Sequence, residues 1–248
     1  MEIGRLTQWL ERAHAKFTKK PYSESIHALP RDSARTEFNS IIDSIDDTIR
    51  KLPDPNNSHR ARRAKDLLLS GLKAGIDVVM VDADEATAFE DEGRSIYAFF
   101  QIETPESHMP TSLYLGIRTP PKDRADSLLE EAGHLAIYDI YKNEVNPYSS
   151  EQDPRKGRLE SAIKEDVKSI KHKNKLLEDG GSFYSQDELV KEIPVKVLKQ
   201  MAMGTWTNAD AKQFPNITKY VENIMIPDFE YYRKNGELPV IKPLSQRR

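Results

Sequence analysis

Glu130 and His134 lie four positions apart in the stretch Leu128-Leu129-Glu130-Glu131-Ala132-Gly133-His134-Leu135-Ala136-Ile137-Tyr138-Asp139. On a helix, that spacing sets both side chains on one face, one turn apart. Glu131 sits one residue round, beside any ion the pair would hold. Metal-dependent hydrolysis needs such an arrangement: two ligands fixed by one helix, with a carboxylate next to the ion to take a proton. Gly133 costs about 1 kcal/mol relative to alanine in mid-helix, which is easier to accept where something must approach the backbone closely. The plainer reading of the same residues is two solvated acids and a hydrogen-bonded surface histidine.

The elements that must position these groups can be read along the chain. Ile3, Leu6, Leu10, Ala13 and Phe17 recur at three- and four-residue steps, as on one face of a helix. Residues 19–33, punctuated by Pro21 and Pro30, read as a loop or a single turn. Phe38, Ile41, Ile42, Ile45 and Ile49 form an apolar stripe that must end before Pro53. Residues 52–59 read as a linker, and 60–73 as a basic-headed helix. At Gly75 the texture changes: 76–82, 95–102 and 111–117 are three strand candidates, followed by a helix over about 123–141. Beyond Pro147 come a charged helix near 158–178, a Gly180-Gly181 break, and helices over 185–203 and 215–225. The expected fold class is α+β. A small three-stranded sheet carries the packed active-site helix, with a helical N-terminal segment over 1–75 and a helical C-terminal part completing the domain 76–248.

Composition excludes several chemistries. The chain has 248 residues, with 37 Lys+Arg against 40 Asp+Glu and a net charge of −3, so neither nucleic acid nor an anionic membrane is an expected partner. It contains no cysteine, which removes disulfides, thiolate nucleophiles and thiolate-held metals. That fits a reducing cytosol, or export by a route needing no disulfide. No apolar run is long enough to span a membrane, and the N-terminus lacks the apolar block of a secretory signal. Neither a G-x-S-x-G elbow nor a phosphate-cradling glycine loop occurs. The basic run 59–65 reads as a solvated helix start, and the acidic run 82–92 as a loop between strands without calcium-loop spacing.

Glu130 to His134 reads E-E-A-G-H. It resembles the H-E-x-G-H helix of zincin metallopeptidases with the first histidine replaced by glutamate. The order of elements is similar too: strands, an edge strand (111–117), the helix, then a later helix bearing a glutamate. The C-terminal part is most similar to the anthrax lethal factor and Pro-Pro endopeptidase group. It offers Phe183-Tyr184-Ser185-Gln186-Asp187-Glu188-Leu189-Val190-Lys191-Glu192, then a Pro215-headed helix. This resemblance, spanning roughly 76–226, implies a zinc site. Glu130 and His134 would be ligands, Glu188 or Glu192 the third, Glu131 the general base, and Tyr184 the group that steadies the oxyanion. It further implies a peptide substrate added along strand 111–117, and a secreted toxin or effector role. Glu130 departs from the pattern: a second carboxylate ligand raises the pKa of the attacking water and weakens it as a nucleophile at neutral pH. The rival reading is a catalytically silent relative that binds a protein partner through the retained cleft. Glu188 and Glu192 also read as ordinary first-turn acids favouring the helix dipole, and Tyr184 as a packing aromatic. A second metal reading pairs Glu131-x-x-His134 with Glu24-x-x-His27 as a di-iron arrangement; the prolines around the latter and the strand candidates argue against a bundle.

Overall fold

The computed structural model describes residues 27–28, 31–72, 77–82, 90–91, 94–95, 98–101, 112–116, 121–142, 154–177 and 186–239. The helix expected over 1–19 and Tyr184 lie outside these residues. Two compact units are formed, one from Met1–Asp43 with Gly75–Glu131, the other from Ser44–Ala74 with Ala132–Arg248.

Helix dominates the described residues. Helices reach 22 residues, whereas the strands run from two to six. The expected α+β zincin-like class is thereby corrected to a predominantly helical fold. The helices reach further than their apolar stripes suggest, and two additional ones occur where loop was expected.

In the first unit, β1 (His27–Ala28) pairs antiparallel with β2 (Asp77–Asp82). Strand β3 (Glu90–Asp91) pairs, among the described residues, with β4 (Arg94–Ser95) alone, and β5 (Ala98–Gln101) lies antiparallel to β6 (Ser112–Gly116). Strand β6 also runs parallel to β2, matching Asp77 to Ser112 and Val81 to Gly116. The order β1-β2-β6-β5 replaces the expected three strands, and it places β6 inside the sheet. Its backbone is paired on both sides, so 111–117 is not an edge and a substrate strand cannot add there. Leu113 and Leu115, two residues apart on one face, are both buried.

Helix α1 (Arg31–Arg50) buries Ile41, Ile45 and Ile49 at four-residue steps. Helix α2 (Pro55–Leu68) begins inside the expected linker. Asp54 caps it by accepting from the Asn56 N–H at 2.9 Å, and Pro55 occupies a first-turn position where a missing donor costs nothing. A 3₁₀ turn, Leu69–Leu72, follows. Three basic side chains of α2 are held in ion pairs within the second unit. Arg60 pairs with Glu222 at 2.7 Å, and Arg63 grips Glu230 through two hydrogen bonds of 2.7 and 2.8 Å. Lys65 pairs with Asp46.

Helix α3 (Pro121–Lys142) carries the candidate site. The single charged helix expected near 158–178 is instead two, α4 (Pro154–Asp166) and α5 (Ile170–Leu177), broken at 167–169. Then come α6 (Gln186–Ala202), α7 (Asn208–Gln213) and α8 (Pro215–Tyr220). A π turn, Val221–Met225, leads into α9 (Ile226–Asn235). Helix α6 packs on α2, whose Ala61 and Ala64 are fully buried and small enough to let the axes come close. Two buried acids tie the second unit together. Asp166 at the end of α4 accepts from the backbone N–H groups of Asn216 and Ile217, both at 2.8 Å, capping α8. Asp228 accepts from Arg155 at 2.7 Å, and the same guanidinium donates to the Pro239 carbonyl.

Candidate metal centre

The site begins with the burial pattern of α3. Ala125, Leu128, Leu129, Ala132, Leu135 and Ala136 are buried, while Glu130, Glu131 and His134 are half-buried on the remaining arc. At about 100° per residue, Glu130 and His134 lie about 40° apart. Glu131 lies about 60° from His134, on the side away from Glu130.

Gly133 is the contact point that brings α6 alongside. A Cβ at this position would lie 2.6 Å from Leu68 Cδ2 of α2 and 3.1 Å from Val195 Cγ1 of α6. The chain pays for glycine here because those two helices leave no room for a methyl group. Val195 is one turn beyond Glu192, so the same close approach delivers that carboxylate to the imidazole. Glu192 Oε2 stands 3.6 Å from His134 Nε2, with side-chain exposures of 24% and 19%.

Glu130, His134 and Glu192 each offer a donor atom, and these three atoms all lie within 4.8 Å of one another. Bonds of about 2.0–2.2 Å to nitrogen and oxygen would set neighbouring donors about 3.3–3.6 Å apart around a tetrahedral ion. The His134–Glu192 separation already has that value. Closing the rest takes at most about 1.5 Å, within reach of glutamate rotamer changes. Half-buried positions leave a route for an ion and for water. The donor set fits a divalent metal. One imidazole and two carboxylates suit zinc, manganese or iron alike, so the set does not single out zinc.

The expected site residues thus fall into three groups. Glu130, His134 and Glu192 are brought together, with Glu131 beside them on α3. Glu188 lies in the first turn of α6, one turn before Glu192, and its side chain is outside the described residues, as is Tyr184. His27 of the di-iron reading sits in strand β1 rather than a helix, and Glu24 lies outside the described residues. Two groups went unread in the sequence. Lys196 and Lys199 of α6 are 5% and 1% exposed, and the spacing Glu192, Lys196, Lys199 repeats one helical face. Among the described residues no helix is long and apolar enough to cross a membrane. Comparison with protein-family profiles, curated proteins and solved structures finds no match.

Proposed function

We propose that the chain is a metal-dependent hydrolase of peptide bonds, with Glu130, His134 and Glu192 holding a divalent cation and Glu131 acting as general base. What supports this reading is one observation: an acid and an imidazole one turn apart on α3 meet a second acid from the distant helix α6, with donor atoms within 4.8 Å. When bound, the cation would polarise the scissile carbonyl and acidify the attacking water. Glu131 would take that proton and pass it to the amine nitrogen as the C–N bond breaks. Its place about 60° round α3 from His134 lets it reach the reacting atoms without displacing a ligand. His134 and Glu130, fixed one turn apart on a helix, set the orientation of the ion's ligand face. The peptide as substrate class rests on the E-E-x-x-H and downstream Glu pattern and its resemblance to metallopeptidases, not on fold class.

Glu130 itself favours a second reading, in which the site is catalytically silent and its cleft engages a protein partner. Two anionic ligands neutralise a divalent cation and blunt its effect on water. Metal analysis of the purified chain, followed by zinc and manganese titrations of wild type, His134→Ala and Glu192→Ala, tests the site. Peptide cleavage by wild type and Glu131→Gln separates the readings. The hydrolase predicts near-stoichiometric metal, loss of binding in both alanine variants, and a fall in turnover of at least ~100-fold in Glu131→Gln. Metal without turnover, or no metal at all, removes the hydrolase and leaves the binding reading.

A further inference from the structure

We infer that Lys196 is a positioning residue, a buried counter-charge that offsets the additional carboxylate at position 130; this rests on the metal site proposed above. Lysine is almost never buried without a compensating charge, yet Lys196 is 5% exposed. It lies one turn beyond Glu192 on the same face of α6, with Cβ atoms about 5–6 Å apart. Its side chain therefore leaves the helix from the face that carries the Glu192 carboxylate, in partly dehydrated surroundings where charges act strongly.

The arithmetic of charge gives it a role. A divalent cation, the carboxylates of Glu130 and Glu192, and the neighbouring carboxylate of Glu131 sum to one negative charge. Histidine at 130 would leave the sum at zero. Lys196 restores zero by another route, from the facing helix. Its positive charge opposes the cation's binding and keeps the site electrophilic. Lys199 shares the face but lies a further turn away, at about 10 Å rather than 6 Å along the axis from Glu192. Its influence on the ion is correspondingly weaker.

The test uses the full chain with zinc or manganese alone, titrated into wild type, Lys196→Met, Lys196→Arg and Lys199→Met. Thermal unfolding checks that each variant is folded. Methionine keeps the bulk and removes the charge. Lys196→Met should bind metal tenfold or more tighter than wild type, Lys196→Arg within about threefold of it, and Lys199→Met should show a smaller gain than Lys196→Met. Where wild type cleaves peptide, Lys196→Met should cleave more slowly despite holding metal better. A merely structural lysine would weaken both. Unchanged or weaker metal binding in a folded Lys196→Met overturns this inference alone, as does an equal or larger gain in Lys199→Met. Failure of wild type to bind either metal overturns the hydrolase reading instead, and the inference with it.

Discussion

Replacing Gly133 with alanine sets two opposing quantities against each other. In an open helix the added methyl would stabilise by about 1 kcal/mol. Here the new Cβ would sit 2.6 Å from Leu68 Cδ2 and 3.1 Å from Val195 Cγ1. Leu68 is fully buried, so its methyl has no solvent to swing into, and Val195 is stiff at χ1. Overpacking of this kind costs typically about 1–3 kcal/mol. The expected net effect is destabilisation by about 1 kcal/mol, seen as a fall in Tm of about 2–4 °C for a chain of this size. Urea unfolding of wild type, Gly133→Ala, Leu68→Ala and the double variant isolates the cause. With Leu68 truncated, the clash is largely gone and the helix term remains, so Gly133→Ala should become neutral or stabilising. The sign change between the two backgrounds is the diagnostic. If Gly133→Ala stabilises the wild-type background, or costs the same in both, the argument that glycine is there for helix approach is wrong.

Glu130→His should raise the ratio of zinc to manganese affinity at least tenfold, because imidazole suits zinc and carboxylate suits manganese; an unchanged ratio in calorimetric titrations removes Glu130 from the ligand set. Arg155→Met should cost about 3–5 kcal/mol by stranding the buried Asp228 carboxylate, whereas Arg155→Met with Asp228→Leu should recover most of the loss. Denaturant midpoints of the two variants decide this. Glu230 is held below the usual carboxylate range by the hydrogen bond from Arg63, against an opposing push from burial and with help from the charges of Arg63, Arg233 and His59. Its contribution is therefore present above the ordinary carboxylate pKa and is lost as pH falls through the lower folded value. The stability gap between wild type and Glu230→Gln should close on acidification from neutral pH towards pH 3; a gap independent of pH contradicts the pairing.

Much of the candidate site could be read from the chain because helical spacing is a local property. The four-residue step from Glu130 to His134 fixes their shared face whatever surrounds them. The choice between Glu188 and Glu192 could not be made that way. The approach of Glu192 to His134 depends on how Gly133 of α3 fits against Val195 of α6, and the Glu188 side chain lies outside the described residues. The buried stripe of α1 followed from Ile41, Ile45 and Ile49, while the start of α2 was obscured by Pro53 and Pro55. Asp54 followed by proline is a helix-start signal as much as a linker signal. Helix α7 carried a readable mark in Thr207-Asn208-Ala209-Asp210, where Thr207 and Asp210 form a capping box. Helix α9 carried another in Gly236, whose φ of 76° closes it. The sheet was misjudged for a different reason. The segments 77–82, 98–101 and 112–116 are extended, but β6 pairs with both β2 and β5, and no local pattern says which strand lies between which.

The cap that Asp166 provides for α8 has a kinetic meaning. Helix α8 opens a helical run that continues through the π turn into α9, and its first amides have no acceptor within that run. The carboxylate that receives its first amides comes from 50 positions earlier in the chain. Those amides can therefore be satisfied within the protein only once the end of α4 has docked, and loop closure sets the place of that event in the folding sequence. Hydrogen-exchange protection at the Asn216 and Ile217 amides is in effect a clock for that docking event, readable without any knowledge of what the molecule does.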